Sequence, residues 1–260
     1  MPVSSAARRL AHASAAPPST PLAAVLRRGV VRTRAAQRPC PSLLFYPGLT
    51  ARPWWALGDL PAPVAAAVAR VAADSAALLA EHDALARGAP AGDYAPAHGE
   101  ATLHAGGWTW HTAVARGRAR ADFALAAPRT VAALAAVPSL LLGGVPFAYS
   151  FFSSLKARAA IAPHFGPTNA RLRVHVPLRV PAAPGAALVV AGEARPWAVG
   201  TPLVFDDAFE HAAKNDTDEE RVVLVFDIWH PELGADERAA FAALFDEARS
   251  NGWIQDEGKK

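Results

Sequence analysis

The sequence predicts a mainly β protein, a barrel or a sandwich, with helices packed outside it. Between Ala101 and Trp229 the chain is mostly short apolar segments separated by glycine and proline, which is typical of an all-β domain. Longer Ala- and Leu-rich stretches lie on either side of that region. Hydrophobic residues make up 52% of the 260 residues and charged residues 19%, so the chain can form one sizeable core.

The two flanking stretches carry helix start and stop signals. Residues 62–87 begin among prolines, continue as an Ala-rich run and end at Gly88, so we expect one helix there. Residues 235–250 have two acidic residues in the first turn and an arginine in the last turn. The helix dipole favours that distribution, and we expect a second helix.

The clearest strand candidates between them are residues 103–114, 148–155, 171–180, 186–191, 201–206 and 221–229. Within residues 171–178, apolar residues alternate with a second set that includes Arg173 and His175. Such a polar face lies either in solvent or inside a barrel. In residues 221–228, Arg221 is the only cation on the face that also carries Asp227. An arginine there either closes the end of a barrel or binds an anion in its mouth.

Positive charge is concentrated at the N-terminus. Residues 1–58 contain eight arginines and no acidic residue, which leaves 18 basic and 23 acidic residues in the rest of the chain. Because the body is acidic, the sequence disfavours nucleic-acid binding. We predict an N-terminal extension over residues 1–41, a domain over 42–250 and a tail over 251–260. The extension is either an organelle transit peptide, implying a plastid or mitochondrion, or a basic tail of a cytoplasmic protein.

A single cysteine, Cys40, excludes an intrachain disulfide and a cysteine-only zinc site. Nine histidines remain as the main candidate metal ligands. Residues 130–155 carry no charge and are long enough to span a bilayer. Prolines and glycines interrupt the segment, so we favour buried strands and turns of a core over membrane insertion.

Histidine and arginine recur at positions that suit a metal site. His211 follows His164 by 47 residues, and Arg221 follows His211 by ten, a separation that a hairpin can bridge. Two histidines and a guanidinium are what a metal with a carboxylate cosubstrate requires. Each side chain, taken alone, is also compatible with a structural role in the core or with a salt bridge.

Five motifs together resemble a known family: HFGPTN (164–169), RLRVH (171–175), FDDAFEH (205–211), Arg221 and DIWHPEL (227–233). Over about residues 42–234 the chain resembles the aspartyl/asparaginyl β-hydroxylases, which are Fe(II)- and 2-oxoglutarate-dependent dioxygenases. The resemblance implies a double-stranded β-helix, that is, a jelly-roll or cupin-like barrel. It also implies hydroxylation of an unactivated carbon with O2.

The resemblance implies two sets of site residues. His164 and His211 are the implied catalytic iron ligands. The implied cosubstrate-binding residues are Arg221, Ser153, Arg173 and His175. Gly166 stands where most related oxygenases have a carboxylate ligand, as it does in the narrower family, so the iron has two protein ligands. For the acidic residues near His211 (Asp206, Asp207 and Glu210) we expect surface or supporting roles.

The implied substrate is the β-carbon of an aspartyl or asparaginyl residue in a peptide or protein. A lipid acyl chain or a free amino acid on the same scaffold remains an alternative. A non-catalytic β-barrel binding module and a cupin-type metal enzyme that lacks the cosubstrate are rivals from other classes. From the acidic body we expect no nucleic-acid partner, and the sequence gives no indication of oligomeric state.

Overall fold

A computed structural model of the chain describes residues 37–94 and 102–253. The strands in these ranges are β1 (Trp54–Trp55), β2 (His104–Ala105), β3 (Trp108–Ala115), β4 (Arg118–Ala119), β5 (Ser150–Leu155), β6 (Ala159–His164), β7 (Arg171–Arg179), β8 (Ala186–Val190), β9 (Glu193–Pro196), β10 (Leu203–Phe205), β11 (His211–Asn215) and β12 (Arg221–Trp229). The helices are α1 (Ala62–Ala73), α2 (Ser75–Gly88), α3 (Ala121–Ala126), α4 (Pro128–Ala135) and α5 (Ala235–Ser250), with a 3₁₀ turn at Leu57–Asp59.

The strands form two antiparallel sheets that face each other. One sheet has the order β1-β10-β7-β12-β5-β3-β4, and the other has the order β2-β6-β11-β8-β9. Consecutive strands of the chain alternate between the sheets over much of this region, which is the pattern of a double-stranded β-helix. The predicted mainly β fold with helices outside it is therefore confirmed.

The core has layers on both faces of the larger sheet. Helices α1 and α2 pack on its outer face, against one set of alternating side chains from β7 and β12 that includes Val174 and Leu224. The inner faces of both sheets meet in a second cluster, which includes Val225 and Leu188. Because side chains alternate along a strand, the set opposite Val174 must point into the space between the sheets. That set carries the polar residues of β7.

The predicted helix over residues 62–87 is wrong as a single helix. The chain forms α1 and α2 instead, bent by 62° at Asp74, whose backbone leaves the helical region with φ −90° and ψ 8°. Arg129 Nε donates to the Asp74 carboxylate at 2.5 Å, which ties this corner to the start of α4. The bend allows both α1 and α2 to contact β7 on the curved outer face of the sheet.

The other predicted elements have mixed outcomes. Helix α5 covers residues 235–250 as expected, and every predicted strand segment contains a strand. Residues 130–155, expected to be strands and turns, begin inside α4 and become a strand only at β5. In the described ranges no single helix is long and apolar enough to span a bilayer, although α1 and α2 meet those criteria as a bent pair. Residues 1–36 of the predicted extension and 254–260 of the predicted tail lie outside the described residues.

Candidate active site

Two histidines lie side by side on neighbouring strands of the smaller sheet. His164 is the last residue of β6 and His211 is the first residue of β11, and the two residues are paired in the antiparallel register. Their ring centroids lie 4.0 Å apart. Strand pairing therefore brings together two side chains that are 47 residues apart in the sequence.

Backbone carbonyls set which nitrogen of each ring is available. The Nδ1 atom of His164 lies 2.8 Å from the Ala162 carbonyl oxygen, and the Nδ1 atom of His211 lies 3.0 Å from that of Phe209. A carbonyl only accepts, so each Nδ1 carries a hydrogen, and in a neutral ring Nε2 then keeps the lone pair. Burial, and then the neighbouring His164, keep the pKa of His211 well below its usual range. His211 is thus neutral, the form that binds a metal ion.

The backbone next to His164 leaves no room for a third side-chain ligand. A β-carbon built on Gly166 would lie 2.6 Å from Oδ1 of Asp207, closer than real contacts allow. The Gly166 amide also donates to the Asp207 carbonyl at 2.6 Å. In the described ranges no cluster of three or more His, Cys, Asp or Glu side chains could hold a metal ion. The donor set here is a histidine pair.

Three buried charges and one partly exposed arginine lie beside the histidine pair. Arg171 donates to both Asp207, through Nε at 3.2 Å, and Asp227, through Nη1 at 2.9 Å. Arg173 Nε and Nη2 donate to the two Asp227 oxygens at 2.8 and 3.0 Å. Burial by itself raises the pKa of Asp207, but Arg171 and Arg173 outweigh it and hold that pKa well below its usual range. Of the two roles expected for Asp207, at the surface or in support of the site, the surface role is wrong: the residue is buried, and two guanidiniums stabilise it inside the barrel.

Arg221 differs from the other buried arginines because no acidic group pairs with it in the described ranges. Only 1% of its surface is exposed. Its Nη1 donates to the carbonyl and the hydroxyl of Ser153, at 2.9 and 3.2 Å, while Nε has no partner among the described residues. Burial lowers the pKa of this guanidinium to about 9. A buried cation with unused donors is a site for an anion.

The two adjacent serines of β5 have opposite surroundings. Ser153 points inward, where its hydroxyl also accepts a hydrogen bond from Trp108 Nε1 at 2.9 Å. Ser154 points outward and lies 2.8 Å from Nε2 of His82 on α2. Strand alternation therefore places Ser153, and not Ser154, beside Arg221.

A chain of ring contacts joins the histidine pair to Arg221. The Phe205 ring lies 5.5 Å from His211 and 5.1 Å from His175. Trp197 Nε1 donates to His175 Nδ1 at 3.3 Å, and the Arg221 guanidinium lies 4.6 Å from the centroid of the Trp197 ring. The site is thus one continuous lining of the barrel interior.

An N-terminal segment donates hydrogen bonds to the loops that adjoin the two histidines. Cys40 donates its amide hydrogen to the Ala208 carbonyl at 2.7 Å, and Ser42 donates to that of Gly166 at 2.9 Å. The amide of Leu44 donates to the Pro167 carbonyl at 2.8 Å. Residues 40–44 therefore bridge the loop after His164 and the loop before His211.

The structure buries Ser153, His175, His211 and Arg221 in the barrel interior. His164 and Arg173 are partly exposed and lie beside them, His164 against His211 and Arg173 on Asp227. Their roles toward a metal and a cosubstrate stay predictions. Sequence reasoning missed the contacts of Trp108 and Trp197 and the supporting role of Asp227. Strand periodicity placed Asp227 on the face of Arg221, so the signal for that residue was present.

Known proteins resemble this chain in sequence over the same region. The profile of the family described as Aspartyl/Asparaginyl beta-hydroxylase matches residues 72–231. Aspartate beta-hydroxylase domain-containing protein 2 of Homo sapiens is 40% identical over 125 residues, which cover 47% of this chain and 33% of that protein. Aspartyl/asparaginyl beta-hydroxylase of Homo sapiens is 33% identical over 139 residues, covering 54% of this chain and 18% of that protein.

Among solved structures, a Pseudomonas putida prolyl-4-hydroxylase aligns with 64% of this chain and 100% of its own, with a TM-score of 0.37 and 16% identity. The matches to the two human relatives span a third or less of the length of those proteins. The family profile, in contrast, covers more than half of this chain, including every predicted site residue. The chain belongs to the aspartyl/asparaginyl β-hydroxylase family.

Proposed function

We propose that this chain is an Fe(II)- and 2-oxoglutarate-dependent hydroxylase. One observation carries the proposal: inside the barrel that holds the His164–His211 pair, Arg221 is buried with no acidic partner in the described ranges. A metal-binding pair alone would suit many enzymes. A separate unpaired guanidinium in the same interior suits a metal whose cosubstrate ends in a carboxylate.

The donor set fits such a metal and cosubstrate. Each imidazole presents Nδ1 to a backbone carbonyl, which leaves Nε2 as the nitrogen that would bind a divalent transition metal. Two protein ligands leave positions for a chelating cosubstrate and O2. The unpaired Nε of Arg221 and the hydroxyl of Ser153 suit the far carboxylate of 2-oxoglutarate. Arg173 and His175 line the interior between these two ends.

The residues of the chain have distinct tasks in this proposal. His164 and His211 hold the metal ion, with ring orientation set by the carbonyls at Nδ1. Arg221 and Ser153 bind and orient the cosubstrate. The apolar walls between the sheets exclude water. When bound, Fe(II) and 2-oxoglutarate supply the oxidation that inserts one oxygen atom of O2 into a C–H bond, with release of CO2 and succinate.

The proposed substrate is an aspartyl or asparaginyl residue of a peptide, hydroxylated at its β-carbon. The names of the curated relatives support this choice. The Arg173 side chain is 14% exposed, so this guanidinium, which is held by Asp227, borders the opening of the interior to solvent.

The first experiment measures succinate formation and a mass gain of one oxygen atom with peptide, free amino acid and acyl-lipid substrates. We expect turnover with an Asp- or Asn-containing peptide. Turnover with only an acyl lipid or a free amino acid would overturn the substrate assignment. If no succinate forms, and no visible charge-transfer band appears on anaerobic addition of Fe(II) and 2-oxoglutarate, the chain is a non-catalytic barrel.

Variants test the ligand pair. His164→Ala and His211→Ala should each abolish turnover while the circular dichroism spectrum persists. His104→Ala is the matched control, because His104 also presents Nδ1 to a carbonyl, that of Gly106 at 3.0 Å, but lies outside the pair. Activity that survives either substitution in the pair would show that the metal assignment is wrong.

A further inference from the structure

Trp197 contacts two polar groups of the predicted cosubstrate pocket at once. Trp197 is the residue directly after β9, and it is 3% exposed. One edge of the indole donates from Nε1 to Nδ1 of His175 at 3.3 Å. Its face lies against the Arg221 guanidinium, with Cζ 4.6 Å from the ring centroid.

The first contact determines the tautomer of His175. An indole N–H donates and never accepts, so Nδ1 of His175 must accept with its lone pair. The neutral ring then carries its hydrogen on Nε2, which makes Nε2 a donor. Among the described residues no group accepts a hydrogen bond from that Nε2. The ring lies in the interior and is 8% exposed.

The second contact restrains the Arg221 guanidinium from one side. The aromatic face holds one side of the guanidinium, and Ser153 accepts from Nη1 at one edge. The Trp197 ring and Ser153 together limit the directions in which the remaining N–H donors of Arg221 can point. Trp197 thus borders two sets of donors, one from His175 and one from Arg221, and no acidic group of the described chain takes either.

We propose that Trp197 is a positioning residue that presents His175 Nε2–H and the Arg221 guanidinium together as donors to a dicarboxylate such as 2-oxoglutarate. This inference rests on the proposed function of the same pocket. It adds a residue whose indole N–H, and not only its bulk, is required for the anion to bind.

The tautomer is measured directly by long-range ¹H–¹⁵N NMR of the histidine rings, with the His175 signals assigned through His175→Gln. In the wild-type protein we expect the Nε2–H form of His175. In Trp197→Phe, which keeps an aromatic face but lacks the N–H, we expect a mixture of both tautomers. An Nδ1–H ring in the wild-type protein, or an unchanged tautomer in Trp197→Phe, overturns the proposal.

Binding is measured by titrating 2-oxoglutarate into the Zn(II)-loaded protein in a calorimeter. Trp197→Phe should weaken binding by on the order of tenfold, as expected for one hydrogen-bonded donor of a charged ligand. Trp55→Phe is the control, because Trp55 is equally buried, at 4%, and its Nε1 has no hydrogen-bond partner among the described residues. Equal affinities of the two variants would contradict the role of Trp197.

The two measurements separate this inference from the proposed function. If the wild-type protein does not bind 2-oxoglutarate, the proposed function fails, and the NMR experiment still decides whether Trp197 sets the tautomer. If Trp197→Phe does not fold, the wild-type NMR spectrum by itself supports or refutes the inference.

Discussion

Replacing Arg221 with methionine should change stability and ligand binding in opposite directions. In the described part of the chain no acidic side chain forms an ion pair with this guanidinium, so in the ligand-free protein its buried charge is compensated only in part, by Ser153 and the Trp197 ring. Methionine fills a similar volume without a charge. We expect Arg221→Met to be more stable than the wild-type protein without ligand, and to lose its response to 2-oxoglutarate.

The size of the effect follows from the pKa. Lowering the pKa of Arg221 from 12.5 to about 9 by burial corresponds to on the order of 5 kcal/mol of destabilisation at neutral pH. A folded pKa below the unfolded value means that this cost is fully present below about pH 9. The substitution also removes two hydrogen bonds to Ser153, worth about 1 kcal/mol each, and the Trp197 contact, worth about 1–2 kcal/mol. The net gain is on the order of 1–2 kcal/mol.

Thermal unfolding of the metal-loaded protein with and without 2-oxoglutarate measures both effects. The variant should unfold about 2–8 °C higher than the wild-type protein without ligand. At 100 times Kd, 2-oxoglutarate should stabilise the wild-type protein by about 2.7 kcal/mol, and the variant not at all.

Arg171→Met is the matched control for this prediction. Arg171 is 2% exposed but donates to Asp207 and Asp227. Its removal leaves the buried Asp207 with only the 3.6 Å contact to Arg173 and should cost about 3–5 kcal/mol. If Arg221→Met is destabilised as much as Arg171→Met, the interpretation of Arg221 as a buried cation without an acidic partner is wrong. Equal stabilisation of Arg221→Met and the wild-type protein by 2-oxoglutarate would refute its role in anion binding.

Two further predictions concern packing and pH. Gly166→Ala should lower the free energy of unfolding in urea by about 1–3 kcal/mol, because its methyl group would overlap the Asp207 carboxylate. Gly88→Ala is the control, because nothing lies within 4 Å of the added carbon, and it should not lower that free energy. His82, buried against Ser154, has a pKa lowered chiefly by burial. Its folded pKa lies below the unfolded value of about 6.5, so stability is lost as pH falls below that value. His82→Gln should reduce this pH dependence of metal-free urea unfolding; an unchanged slope would show that His82 does not contribute.

Much of the architecture could be predicted from local pattern. The alternation in β7 and β12 correctly grouped Arg173 with His175, and Arg221 with Asp227, because a strand repeats every two residues regardless of its neighbours. The signals for α5 are equally local. The bend at Asp74 was missed, because it depends on the sheet beneath the two helices and on Arg129, 55 residues away in the chain.

The sequence by itself determined which residue types share a strand face and, through five ordered motifs, the family. Only the tertiary structure decided that this face points inward, that Ser153 rather than Ser154 meets Arg221, and that Asp207 fills the space left by Gly166. Periodicity is set by bonds along one chain segment. The meeting of the site side chains depends on the register between strands that are far apart in sequence. That register is determined by packing of the whole barrel.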